Sequence, residues 1–564
     1  MDTAAIVRIG TRGSALALAQ ATMVRDALLA AGVHAELTII TTEGDTRAAD
    51  TAWGEGAFVT AIESALLAGD IDAAVHSAKD VPTDEDPRLS IAAFLERAPS
   101  GDVIVMPDGR IAHSLDDLPI GARVGTDSPR RTAFLKAVRP DLAMHPLHGN
   151  VDTRLRRLDE GQSDALVLAE AGLTRLGRAN RISFRLSPDV VPPAPGQGAV
   201  AVQVRAADAR TASLVARLDH RPTRVAVEAE RAILAASGGG CRAPLGANAT
   251  LEGDRLTLTC GFARPDGSVA TIVHHSGRAD DPELIDAALA DLASGAARAA
   301  TAAGFPPVLV TRAADQAAAL VLALVDRGLA PQLVPAIAIE PADDGLEPAI
   351  RRLADFDWVV VTSTNAVRAV REAAGRAGQA LSDARPRWAA VGLATARSLR
   401  AAGAAVAVRP NRSNGTALAD ALPLAGGERV LVPRSEIADE TLVESLAARG
   451  ATVEPVIAYR TVEGPVASIS LLEEALAAAP RAVIFTSGST ARGLLALADW
   501  AGACCAQAAR AIPAICIGPS TAAEARRLGF DVVAESTSQD VAAIADATAS
   551  YIAAGDITPP QEKP

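Results

Sequence analysis

Aromatic residues are scarce in this sequence. They make up 3% of its 564 residues, whereas apolar residues of all kinds make up 49%. The protein's cores must then be built mainly from Ala, Val, Leu and Ile, which favours an α/β protein. The length predicts three to five domains.

Cysteines are few as well. The chain contains Cys241, Cys260, Cys504, Cys505 and Cys516. Their spacing fits neither a disulfide framework nor a zinc site, so we expect a reducing compartment and no metal. The sequence shows no basic-then-apolar leader and no apolar run of about 18 residues. These absences predict a cytoplasmic protein without membrane contact.

Positive charge is in deficit, because the formal net charge is −13 at pH 7. So acidic a chain is not expected to be a general nucleic-acid binder. Local clusters of arginine within it are better explained as sites for a small anion.

Cationic side chains follow predicted strands or precede helices at several places in the first 200 residues. These positions favour anions, because ligands of open α/β sheets bind at the carboxyl ends of strands and near helix N-termini. The residues are Arg12, Lys79 beside Asp80, Arg130 and Arg131 in a helix opened by Ser128 and Pro129, Arg154, and Arg175. Together they predict a ligand with several carboxylates or phosphates. Taken singly, each could instead be a solvated arginine or part of a surface ion pair.

Cys241 follows three consecutive glycines, at the end of a predicted helix over residues 225–236. A thiol on such a loop, beside Arg242, could be a nucleophile or an attachment point. The alternative is a small buried cysteine that follows the end of a helix.

Several motifs in the first 300 residues occur in the order found in one enzyme family. They are Thr11-Arg12, His76-Ser77-Ala78-Lys79-Asp80-Val81-Pro82, Gly125-Thr126 with Arg130-Arg131, Gly149-Asn150-Val151 with Thr153-Arg154-Leu155, Pro195-Gly196-Gln197-Gly198-Ala199, and Gly239-Gly240-Cys241. This part of the chain closely resembles hydroxymethylbilane synthase, also called porphobilinogen deaminase. The resemblance implies three domains, two of them similar to periplasmic binding proteins. We place them at 1–95 with 196–215, at 98–191, and at 217–300.

The resemblance also implies roles for individual residues. Cys241 would carry one covalent dipyrromethane cofactor through a thioether, and Asp80 would be the catalytic carboxylate with Lys79 beside it. The acetate and propionate groups of the cofactor and growing chain would be bound by Arg12, Lys79, Arg130, Arg131, Arg154 and Arg175, with Ser128 at the same site. Two positions depart from the family pattern, since His148 replaces an arginine and Glu55 replaces a lysine.

The second half contains an internal duplication beyond a predicted linker at 301–307. Residues 308–312, 359–366 and 390–396 resemble residues 430–434, 483–490 and 516–522 in turn. Each unit alternates short Val/Ile strands with Ala-rich helices, which predicts two α/β domains with parallel sheets. We place them at 308–336 with 461–554 and, inserted within the first, at 339–458, followed by a tail at 555–564.

Clusters of Ser, Thr and Gly follow several of these strands and offer hydroxyl and backbone N–H groups to an anion. Ser363 and Ser487 belong to such clusters. The duplicated half resembles uroporphyrinogen-III synthase, and that resemblance implies that Tyr459 and Thr521 lie near the substrate. Tyr459 could instead be a strand aromatic that packs at the hinge.

We therefore predict a bifunctional enzyme of tetrapyrrole (haem and porphyrin) biosynthesis, cytoplasmic and monomeric, that binds neither nucleic acid nor membrane. Its first half would polymerise four porphobilinogen molecules to hydroxymethylbilane and release ammonia. Its second half would cyclise that product to uroporphyrinogen III with inversion of ring D. One alternative is that only the deaminase half is active. Another is a non-catalytic protein that binds or senses an anionic ligand.

Overall fold

The structure is a computed structural model. It describes residues 6–41, 59–84, 86–238, 244–281, 283–342, 345–410, 412 and 414–556, without the side chains of 393, 394, 397 and 401.

The described elements of the first half are a mixture of strands and helices up to residue 236, followed by a three-stranded meander and a long helix. They are β1 (Val7–Thr11), α1 (Ala15–Ala30), β2 (Ala35–Ile39), α2 (Thr60–Ala68), β3 (Ala73–Ser77), β4 (Leu89–Phe94), β5 (Asp102–Val105), β6 (Arg123–Gly125), α3 (Pro129–Val138), β7 (Ala143–His145), α4 (Val151–Asp159), β8 (Ala165–Ala169), α5 (Glu170–Arg175), β9 (Phe184–Arg185), β10 (Val200–Arg205), α6 (Ala209–Val215), α7 (Arg221–Ala236), β11 (Leu245–Glu252), β12 (Arg255–Ala263), β13 (Ala270–Arg278) and α8 (Glu283–Ala302).

These strands form three sheets, with the orders β2-β1-β3-β10-β4, β7-β6-β8-β5-β9 and β11-β12-β13. The chain crosses from the first sheet to the second after β4 and returns after β9. On its return, β10 pairs antiparallel with both β3 and β4. The carboxyl end of β3 therefore lies beside the segment that re-enters the first sheet.

The second half contains two further sheets. Its elements are β14 (Pro307–Val310), α9 (Ala318–Asp326), β15 (Ala330–Leu333), β16 (Ile337–Pro341), α10 (Leu346–Arg351), β17 (Trp358–Val361), α11 (Thr364–Ala377), β18 (Arg387–Ala390), α12 (Leu393–Ala401), β19 (Val406–Val408), α13 (Gly415–Ala421), β20 (Arg429–Ser435), α14 (Thr441–Ala448), β21 (Thr452–Glu463), α15 (Ile469–Ala477), β22 (Ala482–Phe485), α16 (Gly488–Ala501), α17 (Ala503–Arg510), β23 (Ala514–Cys516), α18 (Pro519–Arg527), β24 (Val532–Glu535) and α19 (Val541–Asp556).

The sheet β15-β14-β22-β23-β24 is parallel throughout. The sheet β16-β21-β20-β17-β18-β19 is parallel except that β16 runs antiparallel to β21. β16 and β21 are the strands through which the chain leaves and re-enters the unit built on β14. The predicted α/β class, with parallel sheets in the duplicated half, is thus confirmed.

Local sequence explains how the helices begin. Ser14, Ser128 and Asn150 each accept a hydrogen bond from a backbone N–H of the first turn that follows, in α1, α3 and α4 respectively. Pro129 occupies the first turn of α3, where its missing N–H costs nothing. Within the described ranges, no helix combines the length and apolarity needed to cross a membrane.

Candidate active site

Asp80 and Lys79 lie in a 3-10 turn, Ala78–Asp80, directly after β3. Arg231 of α7 holds the chain that follows, because its guanidinium donates to the carbonyls of Val81 and Pro82 at 2.8 Å each. The third sheet's domain therefore helps to position the turn that carries the predicted catalytic carboxylate.

The Asp80 carboxylate is partly buried and accepts no hydrogen bond from any described group. Burial raises its pKa, and the nearby charges of Lys79 and Arg12 oppose that rise. Burial lowers the pKa of Lys79 to about 8, although Asp80 opposes that shift. A carboxylate with unused acceptor positions is thus held beside two cations in a partly dehydrated site.

Gln197 connects this turn to the second sheet. Its Oε1 accepts from Lys79 Nζ at 3.2 Å, and its Nε2 donates to Asp102 Oδ1 at 2.9 Å. Gly196 and Gly198, on either side, have φ values of +76° and +88°. A Cβ on Gly196 would lie 3.1 Å from the Lys79 backbone nitrogen. Glycine is required here because the turn is left-handed and closely packed.

Asp102 is completely buried and binds both arginines of α3. Its Oδ2 accepts from Arg130 at 2.8 Å, and its Oδ1 accepts from Arg131 at 2.7 Å. Burial alone would raise the pKa of this carboxyl, but the two guanidiniums hold it well below its usual range. One carboxylate thus faces two guanidiniums, which leaves this group with a net positive charge.

Arg130 and Arg131 therefore already have protein partners. Arg130 also donates to the Pro192 carbonyl and Arg131 to the Val167 carbonyl, and they are only 4% and 6% exposed. Ser128 caps α3 by accepting from the Arg131 N–H at 3.4 Å. The two arginines predicted to bind an external anion thus pair with Asp102 instead. The ligand contacts of Ser128, Arg130 and Arg131 stay predictions.

Arg154 and Arg175 differ in their surroundings. Arg154 donates to Asp127 Oδ2 at 2.8 Å, and His148 Nδ1 lies 2.9 Å from Asp127 Oδ1 without forming a hydrogen bond. Arg175 donates to the Gly198 carbonyl at 2.7 Å, but its buried Nε has no hydrogen-bond partner among the described residues. Burial lowers the pKa of Arg175, and no described carboxylate pairs with it. Arg175 is thus a partly buried cation that no described carboxylate neutralises.

Arg97 and Glu230 join the crossover to α7. Glu230 is fully buried and binds Arg97 through both oxygens, at 2.6 and 2.9 Å. It also accepts from the Gly196 N–H at 2.7 Å, while Arg97 Nε donates to the Gln197 carbonyl at 2.9 Å. This pair fixes the turn that presents Gln197.

Sequence reasoning assigned no role to Asp102, Gln197, Arg97 or Glu230. Two signals were available. Asp102 is a lone acid at the head of the apolar run Val103-Ile104-Val105, and Gln197 stands between two glycines. Buried charge is costly unless paired, so an acid in such a run indicates a buried cation. The partner itself is remote in sequence.

The cofactor that the sequence resemblance implies, a dipyrromethane, carries several carboxylates and two pyrrole N–H groups. The named cations Arg12, Lys79, Arg130, Arg131, Arg154 and Arg175 outnumber the carboxylates Asp80, Asp102 and Asp127. Asp80 has acceptor capacity for N–H donors, and Arg175 has an unpartnered buried Nε among the described residues. The described residues therefore fit such a group.

Three sequence predictions fall wholly or mostly outside the described residues. They are the attachment cysteine Cys241, the departure at Glu55 and the tail at 555–564, of which 557–564 are not described. Among the described cysteines, burial raises the pKa of the Cys260 and Cys516 thiols to about 12 each. Cys504 and Cys505 lie in α17, in the second half.

The second half has its own polar edge. Ser487 follows β22 and caps α16, accepting from the Thr490 N–H at 3.3 Å while its Oγ lies 2.8 Å from that of Ser489. Thr521, which is 4% exposed, lies in the first turn of α18, after β23. Strands β22 and β23 are parallel neighbours, so both hydroxyls belong to the carboxyl edge of one sheet.

Tyr459 and Ser363 belong to the other sheet of this half. The Tyr459 hydroxyl lies 3.1 Å from Ser363 Oγ, and Ser363 accepts from the Ala366 N–H as the cap of α11. Gln316 and Asn365 bridge the two units with a 2.6 Å hydrogen bond. Two of the four predicted residues thus lie on each unit, and of these only Tyr459 and Ser363 are in contact among the described side chains.

Arg312 follows β14 at the same edge as Ser487. Burial lowers the pKa of its guanidinium, and it forms no hydrogen bond or ion pair with any described residue. Its acidic neighbour Asp315 is paired with Arg368 instead. The duplicated sequence pattern includes Arg312, but sequence reasoning did not give it a role.

The fold and this site define a two-part α/β enzyme whose first part holds a carboxylate among cations suited to a polycarboxylate ligand. Residues 7–213 match the family model "Porphobilinogen deaminase, dipyromethane cofactor binding domain", and residues 225–293 match "Porphobilinogen deaminase, C-terminal domain". Residues 315–546 match "Uroporphyrinogen-III synthase HemD". The chain belongs to the porphobilinogen deaminase family and is a fusion with a uroporphyrinogen-III synthase part, so it is a bifunctional enzyme of tetrapyrrole biosynthesis.

Two individual porphobilinogen deaminases agree with the assignment of the first half. The porphobilinogen deaminase of Roseiflexus sp. (strain RS-1) is 49% identical over 290 residues, which cover 50% of this chain and 94% of the relative. That of Mycobacterium marinum is 47% identical over 296 residues, covering 50% and 93%. A mutant uroporphyrinogen III synthase structure from the thermophilic bacterium Thermus thermophilus is 22% identical and covers 44% of this chain and 99% of its own, with a TM-score of 0.33.

We expect Asp102→Asn to destabilise the first half by about 3–5 kcal/mol, because it leaves two buried guanidiniums facing a neutral amide. Asp164→Asn is the matched control, since Asp164 pairs with the half-exposed Arg123. It should cost no more than about 1 kcal/mol. Thermal unfolding of both variants measures the difference. Equal unfolding temperatures would mean that Asp102 does not hold the arginines.

Proposed function

We propose that the first half polymerises four porphobilinogen molecules to hydroxymethylbilane with release of ammonia, and that the second half closes this product to uroporphyrinogen III with inversion of ring D. The observation that carries the first proposal is Asp80, a carboxylate with free acceptor positions among cations. The family assignment of both halves supports the pair of reactions.

Asp80 would accept hydrogen bonds from pyrrole N–H groups and stabilise positive charge that develops on the pyrrole nitrogen as ammonia leaves. Its raised pKa also lets it hold a proton at a higher pH than an ordinary aspartate does. Lys79, held by Gln197, would keep the carboxylate in place and face a substrate carboxylate.

The cations would bind the carboxylates of cofactor and growing chain. Arg175 and Arg12 would do so directly, and Arg154 would do so alongside His148. Arg130 and Arg131, with Ser128 at their helix cap, would contribute charge through the Asp102 cluster unless ligand binding draws them away from it. When bound, dipyrromethane supplies the pyrrole carbon to which the first substrate is joined, and Cys241 would attach it.

In the second half, Ser487 and Thr521 on one unit and Tyr459 and Ser363 on the other would bind hydroxymethylbilane between them. Arg312 would meet a substrate carboxylate at the same edge. Positioning of the flexible substrate would supply most of the rate enhancement, because the two reacting ends of the linear tetrapyrrole must be brought together. The domain limits given above are part of this proposal, as are a cytoplasmic location and a monomeric state.

Cofactor attachment can be tested by intact mass. We expect the purified chain to exceed its polypeptide mass by one dipyrromethane and Cys241→Ser to lose that excess. Cys504→Ser is the control, since Cys504 is an exposed thiol elsewhere in the chain. It should keep the excess. An active wild-type chain without added mass would remove Cys241 from the proposal.

Asp80→Asn should slow porphobilinogen consumption about 10²-fold or more, the range for loss of an acid–base group. Because burial raises the pKa of Asp80, its charge does not favour folding, so the melting temperature should not fall. Asp70→Asn, an exposed aspartate before β3, should retain the wild-type rate. A near wild-type rate in Asp80→Asn would contradict the assigned role.

The second reaction can be read from the isomer ratio, because spontaneous closure of hydroxymethylbilane gives the type I product and the enzyme gives type III. Tyr459→Phe and Arg312→Met should each raise the share of type I product. Tyr551→Phe, the same change at the other tyrosine, should not. If the wild-type chain itself yields only type I product, the second half is a scaffold and only the deaminase is active.

A further inference from the structure

Helix α9, the first helix of the synthase half, is buried on two sides. Leu320 and Leu324 belong to the core of their own unit, with Val308 and Ile484. A helix that is apolar all round is normally found inside one domain.

The other side of α9 packs against the deaminase half. Val321, Leu322 and Val325 share one hydrophobic cluster with Leu292 and Ala296 of α8, and the same cluster continues to the strands β11 and β12. Val321 and Leu322 are 3% exposed and Val325 is fully buried. The third deaminase domain therefore shares a continuous core with the synthase half.

A polar contact reinforces this core. Arg264, just after β12, donates Nη1 to the carbonyls of Val325 and Asp326 at 2.8 and 2.7 Å. These carbonyls end α9, where the helix dipole favours a cation. The same guanidinium lies 5.0 Å from the centre of the Phe305 ring.

The connecting segment is not a free tether. Helix α8 ends at Ala302 and β14 begins at Pro307, and Phe305 between them packs against the shared cluster. The contact also reaches the end of α7, because a Cβ on Gly238 would lie 3.5 Å from the Cβ of Ala319.

From these contacts we propose that the two halves form a permanent non-covalent interface, in which α9 serves as an outer element of the third deaminase domain. The halves should remain associated when the peptide chain between them is cut. The binding partner of this face of the deaminase is thus the synthase half of the same chain. The interface would exist whether or not either half is active.

A protease site inserted between Ala303 and Gly304, both exposed, allows the folded full-length chain to be cut. We expect the two fragments to elute together in gel filtration under native conditions. Val321→Asp should separate them, because it places a carboxylate in the shared core. Val466→Asp is the matched control, since Val466 is 65% exposed in the same half. It should leave the cut fragments together.

Arg264→Ala provides a second variant, which leaves the buried apolar side chains of α8 and α9 unchanged. The loss of two hydrogen bonds from a charged donor should weaken fragment association at least about tenfold, measured by analytical ultracentrifugation of the cut protein. Separation of the cut wild-type fragments would overturn the proposal. Unchanged association in Arg264→Ala, or intact association in a folded Val321→Asp chain, would overturn it as well.

Discussion

The arrangement of the deaminase site depends on the ion pairs between the Asp102 carboxylate and the guanidiniums of Arg130 and Arg131. Two guanidiniums of one helix turn cannot be buried side by side without an anion, and Asp102 supplies it from a different strand. Because Gln197 binds both Asp102 and Lys79, the turn Ala78–Asp80 is linked to the same carboxylate. The site thus keeps an excess of positive charge before any ligand arrives, and the protein bears the desolvation cost in advance.

A second constraint is that three sheets must meet at one turn. Glu230 joins α7 to the crossover through Arg97 and the Gly196 N–H, and Arg231 of the same helix holds the chain after Asp80. Helix α7 is therefore bound directly to the crossover at Gly196 and to the chain that follows Asp80. Movement of the third domain relative to the first would have to break buried charged contacts, so α7 and the turn Ala78–Asp80 are expected to move together.

The alternation of short apolar runs and amphipathic helices was enough to predict the α/β class and the duplicated second half, because these follow from local pattern. Capping by Ser128 also follows from local sequence. Local sequence does not determine where the side chains of Arg130 and Arg131 point. Their orientation depends on Asp102, which lies 28 and 29 residues away along the chain. The sequence pattern favoured an external anion as the partner of these arginines. In the structure their partner is Asp102, through a tertiary contact. The packing of α9 against the deaminase half could not be predicted from the sequence either. A helix of nine mostly apolar residues does not indicate which of two cores each side of it packs against.

The two halves handle negative charge in different ways. The deaminase site relies on fixed guanidiniums, whose excess charge suits a ligand that gains carboxylates as it grows. The proposed synthase site has hydroxyl groups, helix caps and Arg312, which pairs with no described carboxylate. This arrangement would suit a substrate that must bind, change shape and leave as product. Strong fixed charge would hold both substrate and product and would slow release without lowering the barrier to closure. The contact between the halves through α9 is mainly apolar, and the Arg264 guanidinium lies at the end of that helix. Asp286 of α8 also lies near the charges of Arg368 and Arg371 in the synthase half. The proposed connection therefore uses none of the residues assigned to either site.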